Sequence, residues 1–183
     1  MGGLASWFTS RGWRAAGAAI LVSLIVFCGL SARLFVFPDT GMPARVDAIV
    51  VLGGGGNRLD FGLQLAGEDR APYLVLSKGL PWIPPGICAT HAGPTTVICF
   101  QPDPMTTQGE AEGAARLAKR YGWRSMVLVT PRDQVWRAHL RFQRCYAGTI
   151  YSVGSHVPWY HWPYAIAYQW GGTVKAELFQ RGC

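Results

Sequence analysis

The stretch Ala48-Ile-Val-Val-Leu52, passing directly into Gly53-Gly-Gly-Gly56 and Asn57-Arg58, decides the fold class. A continuous β-branched run between charged and glycine punctuation is the pattern of a strand buried on both faces, as in a parallel sheet covered by helices. Glycines just past such a strand let bare backbone approach a ligand and turn successive N–H groups toward one anion, and Arg58 adds a forked cation. The plain alternative is a flexible turn. The loop lacks the Lys-Ser/Thr ending of a P-loop and the G-x-x-G close of a dinucleotide fingerprint, which disfavours nucleotide hydrolysis and NAD binding.

Outward from this strand, elements alternate. Leu59 to Gly67 has helical periodicity, and Tyr73-Leu-Val-Leu76 reads as a second buried strand ending at Ser77-Lys78-Gly79. Leu80 to Pro94 is a Pro/Gly-rich insertion loop, and Thr96 to Phe100 is a third strand. After the break at Pro102-Asp-Pro104, Thr106 or Thr107 caps a helix through Glu110 to Arg120, which Gly122 ends. Met126 to Val129 is a fourth strand, Asp133 to Cys145 a helix carrying Arg137, Arg141 and Arg144, and Thr149 to Val153 a fifth strand. His156 to Trp170 is aromatic without assigned structure, and Thr173 to Arg181 reads as a terminal helix. The alternation predicts an α/β domain with a mostly parallel sheet.

Open parallel sheets bind ligands beyond the carboxyl ends of their strands. That places Gly53, Gly54, Gly55, Gly56 and Arg58 after strand one and Ser77 and Lys78 after strand two. Asp103, Thr107 and Glu110 follow strand three, and Thr130, Arg132, Asp133 and Arg137 follow strand four. Cations, a few carboxylates, hydroxyls and a glycine nest together suit a phosphate or diphosphate ester.

The first forty residues set the location. Ala15 to Ala32 is apolar apart from Ser23 and Ser31, and Leu34-Phe-Val-Phe37 continues past Arg33. With Arg33 snorkelling to the far interface, residues 15–37 are long enough to span a bilayer. Arg11 and Arg14 favour a cytoplasmic N-terminus, residues 1–14, and an extracytoplasmic domain, residues 38–183, although Arg33 and Arg45 weigh the other way. A signal peptide cleaved near Ser31-Ala32 is the competing reading.

The chain has 183 residues, half of them hydrophobic, which is room for one domain and one membrane segment. Of five cysteines, Cys28 lies in the apolar stretch; Cys88 and Cys99 flank a short loop, and Cys145 and Cys183 remain as a second candidate pair. Two bridges fit an oxidising compartment, with reduced core thiols as the alternative. The net charge of +7 suits anionic headgroups, phosphorylated glycans or nucleic acid. Export argues against nucleic acid, and no basic run interleaved with aromatics is present. His91, His156 and His161 are too scattered to frame a metal site, His139 reads as a surface residue, and Asp47, at the amino end of strand one, as structural.

Four segments together resemble a known family. Val46-Asp-Ala-Ile-Val-Val-Leu-Gly-Gly-Gly-Gly-Asn-Arg58, Ala71-Pro-Tyr-Leu-Val-Leu-Ser-Lys-Gly79, Thr106-Thr-Gln-Gly-Glu-Ala111 and Val127-Leu-Val-Thr-Pro-Arg-Asp-Gln-Val-Trp-Arg-Ala138 look like the successive motifs of the YdcF/SanA/ElyC-like family. The resemblance covers about Val46 to Val153. It implies a Rossmann-like three-layer domain, often behind a membrane helix, tied to bacterial envelope integrity and lipid-linked glycan metabolism, with Arg58, Thr107 and Arg137 on family positions. Where the family often has a His after the fourth strand, this chain has Gln134, and Thr106-Thr-Gln-Gly-Glu110 replaces the family's Asn-Thr-x-Glu-Asn.

Three readings follow. As an enzyme, the domain handles phosphate-linked lipids or glycans: the nest and Arg58 hold phosphate, Arg137 or Arg132 stabilises developing charge, Glu110 or Asp133 moves a proton, and Asp103 with Glu110 frames a divalent cation site. As a binding module, the same pocket presents a precursor to envelope enzymes, which the missing His favours. As an interaction protein, it meets other membrane proteins through Trp159-Tyr-His-Trp162 and Trp170.

Overall fold

The computed structural model describes residues 4–183, with side chains from Gly12 onward. Met1 to Gly3, and with them part of the segment expected in the cytoplasm, lie outside the described residues. Helix α1, Leu4–Ser31, leads into a π turn, Ala32–Val36. The stretch Gly12–Val36 is long and apolar enough to cross a membrane.

The domain is α/β with a six-stranded, mostly parallel sheet. The strands are β1 (Ala48–Val51), β2 (Tyr73–Ser77), β3 (His91–Ala92), β4 (Thr95–Phe100), β5 (Ser125–Pro131) and β6 (Thr149–Ser155). Their order is β3-β4-β2-β1-β5-β6, and only β3 is antiparallel, pairing His91 with Thr96. This hairpin lies inside the segment expected to be a plain insertion loop. The bridge Cys88–Cys99 ties that insertion to β4, and Cys145–Cys183 ties the last residue to the end of the helix that follows β5.

Helices α2 (Arg58–Gly67), α3 (Thr107–Tyr121), α4 (Val135–Cys145) and α5 (Trp162–Leu178) complete the chain. Thr106 is the N-cap of α3, accepting the Gly109 N–H on its side chain, and Gly122 closes the helix at φ 71°. Strand side chains alternate between faces, so each strand feeds two cores. Ile49, Val51, Leu74, Leu76, Val127 and Val129 pack with Leu59, Leu65 and Ala66 of α2. Ala48, Val50, Leu52, Val75, Met126 and Leu128 pack with the alanines of α3 and with Ala138 and Phe142 of α4. Two cores on one sheet make three layers, consistent with the Rossmann-like expectation.

Three expectations are corrected. The terminal helix starts at Trp162 rather than Thr173, so most of the aromatic segment is helical; Pro163 sits in its first turn, where a missing N–H costs nothing. The segment from Arg132 to Gln134 is a 3-10 turn ahead of α4 rather than its first turn. The third concerns Arg141 and Arg144, whose partners the sequence reading left unassigned. Arg144 binds Glu177 and the Ala176 carbonyl, and Arg141, 6% exposed, binds the Gln180 carbonyl and side chain, so they hold the chain end against α4.

Asp47 is the strap at the amino edge. Its Oδ2 accepts both the Arg124 and Ser125 N–H groups at 2.8 Å and the Ser125 hydroxyl at 3.0 Å. Burial alone would raise its pKa, but these bonds outweigh it and hold the carboxyl below its ordinary range.

Candidate functional site

From β1 the chain runs outward through β2 to β4, then returns to the other side of β1 for β5 and β6. The crevice beyond β1 and β5 is therefore the switch point of the sheet, where loops diverge and leave a concavity. A cleft of about 1010 Å³ opens there. Four cations, Arg58, Arg137, Arg141 and Lys175, and two carboxylates, Glu110 and Asp133, line it together with the glycine loop.

The loop is built for close approach. A Cβ on Gly53 would lie 2.7 Å from the backbone of Gly79, and Gly54 sits at φ +104°. The Gly53 N–H donates to Glu110 Oε1 and the Gly54 N–H to the Gly79 carbonyl. These two groups serve the fold, whereas Gly55 and Gly56 are exposed on the cleft wall just ahead of α2.

Arg58 departs from the open clamp expected of it. It is 4% exposed and donates to the carbonyls of Leu52, Gly53 and Gly55, so the guanidinium props the loop from beneath. Burial depresses its pKa to about 10 against the opposing pull of Glu110 and Asp133. It supplies positive potential under the loop.

Glu110 is the most deeply placed acid of the cleft, 4% exposed on the first turn of α3. Burial raises its pKa, while hydrogen bonds from Ser77 and Gly53 and the charges of Arg58 and Arg137 work in the other direction. Ser77 thus acts behind the cleft, through Glu110. Thr107 accepts the Gln134 amide at 3.3 Å, so a non-titrating pair occupies the place where the family resemblance implied a histidine.

Across the cleft, Gln169 of α5 is 2% exposed and joins two predicted residues. Its Nε2 donates to Asp133 Oδ2 at 2.7 Å, and its Oε1 accepts from Arg137 Nε at 2.8 Å. The Arg137 guanidinium also lies 5.4 Å from the centre of the Tyr168 ring. Arg137 is thereby fixed in orientation by Gln169 at the cleft wall.

Not every predicted residue joins this site. Lys78 is exposed and outside the cleft wall. Arg132 is exposed and borders a separate shallow hollow with Trp159 and Tyr160. Thr130 is fully buried in β5 with an unpartnered Oγ1. Asp103 is exposed and away from the cleft wall, so the cation site drawn from Asp103 and Glu110 is not assembled. Among the described residues no three His, Cys, Asp or Glu side chains are grouped to hold a metal ion. His139 is half-buried beside Ser152 rather than a surface residue, and burial lowers its pKa.

Sequence reasoning missed the α5 wall: Tyr164, Tyr168, Gln169 and Lys175, with His156 and His161 before it. Pro163 was the available signal, since proline in a first turn marks a helix start.

Fold and site define an α/β domain with a cationic, glycine-rimmed cleft at the switch point of its sheet. Comparison with protein-family models, with curated proteins and with solved structures finds no match in any of the three.

Proposed function

We propose that this chain is a membrane-anchored, extracytoplasmic domain that binds, or acts on, phosphate-linked lipid or glycan precursors of the bacterial cell envelope, in keeping with its resemblance to the YdcF/SanA/ElyC-like family. The observation that carries the reading is one cleft shared by the glycine loop, Arg137 and Lys175, with the buried Arg58 and Arg141 adding positive charge in its walls, against only Glu110 and Asp133. The apolar α1 and the two disulfides support the anchor and the oxidising side of the membrane. ATP is not at hand in that compartment, which argues against kinase chemistry.

For turnover, the reaction available is in-line attack of water or an acceptor hydroxyl on phosphorus. Arg137 neutralises the equatorial oxygens, and the two cleft carboxyls divide the proton work, Asp133 taking the nucleophile's proton and Glu110 giving one to the leaving oxygen. A binding role without turnover is the second reading. The Gln134–Thr107 pair favours it, because an amide cannot exchange protons at neutral pH. In either role, other envelope membrane proteins are the partners to which a held precursor passes.

The test is thermal unfolding of the full chain in lipid nanodiscs with a polyprenyl phosphate, glycerol phosphate, inorganic phosphate and nucleotides, beside an Arg137→Ala, Lys175→Ala double variant. A ligand at one hundred times its dissociation constant stabilises by about 2.7 kcal/mol. A shift that the double variant abolishes is expected. Absence of a shift with every anion overturns the reading, and phosphorus NMR of the bound ligand over time separates turnover from binding.

A further inference from the structure

Helix α5 has an outward face of the wrong chemistry for water. Its 17 residues carry only two charges, Lys175 and Glu177, and Glu177 is taken by Arg144. Ala167, Val174 and Leu178 recur at helical spacing on the side away from the cleft and are all exposed, Leu178 to 60%. A surface helix of a soluble domain places polar residues there. Large apolar side chains continue the patch at both ends, with Trp159 82% exposed ahead of the helix and Phe179 77% behind it.

The flanks of this face say what covers it. On one side, Trp170 stacks on Phe27 of α1 at 5.6 Å, meets Phe35 edge-on at 5.4 Å and donates its indole N–H to Ser31 Oγ at 2.9 Å. Phe27, Ser31 and Phe35 belong to the last part of the apolar stretch, around Arg33, so Trp170 packs at the end of the span from which Arg33 snorkels to the headgroups, the depth that Trp and Tyr favour. From Arg14 to Arg33 the helical rise is about 28 Å, close to a hydrocarbon core of about 30 Å. The outer surface of α1, with Ile20, Leu24 and Ile25 exposed, is thus continuous with the outer face of α5 through Trp170. On the other flank, Tyr164 and Tyr168 form the rim of the cleft, with the Arg137 cation behind Tyr168.

We propose that α5 lies in the surface of the same bilayer that α1 crosses and opens the cleft rim at Tyr164 and Tyr168 to the lipid. The ligand class is then an amphiphile: its phosphate enters toward Arg137 and Lys175 while its apolar chain stays in the membrane. This rests on α1 being a bilayer span. It narrows the proposed ligand from any phosphate ester to one delivered laterally, and it assigns the aromatic segment to lipid rather than to a protein partner.

The full chain in phosphatidylcholine–phosphatidylglycerol nanodiscs tests this, in a Cys28→Ser background because Cys28 is the free, exposed thiol among the described residues. Nitroxide labels go singly on Ala167→Cys and Val174→Cys of α5, on Ile25→Cys of α1 and on Lys119→Cys of α3, with accessibility to oxygen and to a water-soluble nickel chelate read by power saturation. Both α5 labels are expected to match Ile25→Cys, oxygen-accessible and nickel-protected, with Lys119→Cys the reverse. Nickel access at both α5 positions with Ile25→Cys protected overturns the interfacial helix and leaves the anchor standing. Nickel access at Ile25→Cys overturns the anchor and this inference with it. Protection of the α5 labels from both reagents means that protein covers the face, which also overturns it.

Discussion

The Nε–H of Arg137 donates to Gln169 Oε1 across 2.8 Å, joining the helix after β5 to a helix that begins 17 residues after the last position of α4. Because the other end of the same amide donates to Asp133, one side chain sets both the direction of a cleft cation and the surroundings of a cleft carboxylate.

Gln169→Ala removes both bonds and leaves the buried Asp133 carboxylate without that donor. A loss of about 1–3 kcal/mol in stability is expected by denaturant unfolding. Gln169→Glu should cost more, since it sets a second carboxylate beside Asp133. Equal stability of both variants with the parent would show that the bridge is not formed in solution.

Arg137→Ala should weaken phosphate-ester binding by tenfold or more, as loss of a charge-assisted bond of about 1.5–3 kcal/mol implies, and should also lower apo stability, because it leaves the buried Gln169 Oε1 without its donor. Calorimetric titration in nanodiscs reads this directly. Arg58→Ala should differ in kind, lowering stability first, because that guanidinium holds the carbonyls of Leu52, Gly53 and Gly55.

Glu110 makes stability depend on pH in a definite direction. Its folded pKa is raised above the ordinary 4.5 by burial, so the folded state holds the proton more tightly than the unfolded chain. The contribution is fully present below 4.5 and is lost as pH rises through the folded value. Denaturant unfolding from about pH 4 to about pH 8 should show this decline in the parent and a flatter profile in Glu110→Gln. Identical slopes would refute it.

Asp47 has the opposite sign. Its pKa is held below the ordinary 3.8, so its contribution is present above that value and lost as pH falls through the folded one. Asp47→Ala leaves two backbone N–H groups without an acceptor, for a loss of about 1–3 kcal/mol at neutral pH that shrinks in acid. Urea unfolding at two pH values checks both halves of this expectation.

The two disulfides should contribute unequally. On loop entropy, Cys145–Cys183, closing 38 residues, stabilises by about 4 kcal/mol, and Cys88–Cys99, closing 11, by about 3 kcal/mol. Cys145→Ser with Cys183→Ser also leaves the chain end held by Arg141 and Arg144 alone, so faster proteolysis after Leu178 is expected of that variant and not of Cys88→Ser with Cys99→Ser. Mass spectrometry of timed digests distinguishes them.

Much of the fold is local information and was readable as such. The run Ala48 to Leu52 is apolar at every position because a central parallel strand is buried on both faces, and Thr106 and Gly122 mark the ends of α3 through backbone groups that need a hydroxyl or a positive φ. The placing of Glu110, Asp133 and Arg137 at one crevice followed from the rule that parallel strands share a carboxyl edge, and all three line the cleft.

Long-range packing decided the rest. Nothing in Asn57-Arg58 tells whether the guanidinium points to a ligand or folds back; a loop dense in unpaired carbonyls captured it. Lys78 and Arg132 lie just past β2 and β5, yet remain in solvent, because strand position sets where a Cα lies and not which way a long side chain leaves it. The long apolar N-terminal stretch, the alternation of strands and helices and the glycine loop belonged to the sequence by itself. The wall that closes the cleft belonged to tertiary structure alone: Gln169 and Tyr168 reach Asp133 and Arg137 because α5 is held from both sides, by Arg144 on Glu177 and by Trp170 on Ser31, a contact spanning 139 residues that no local pattern encodes.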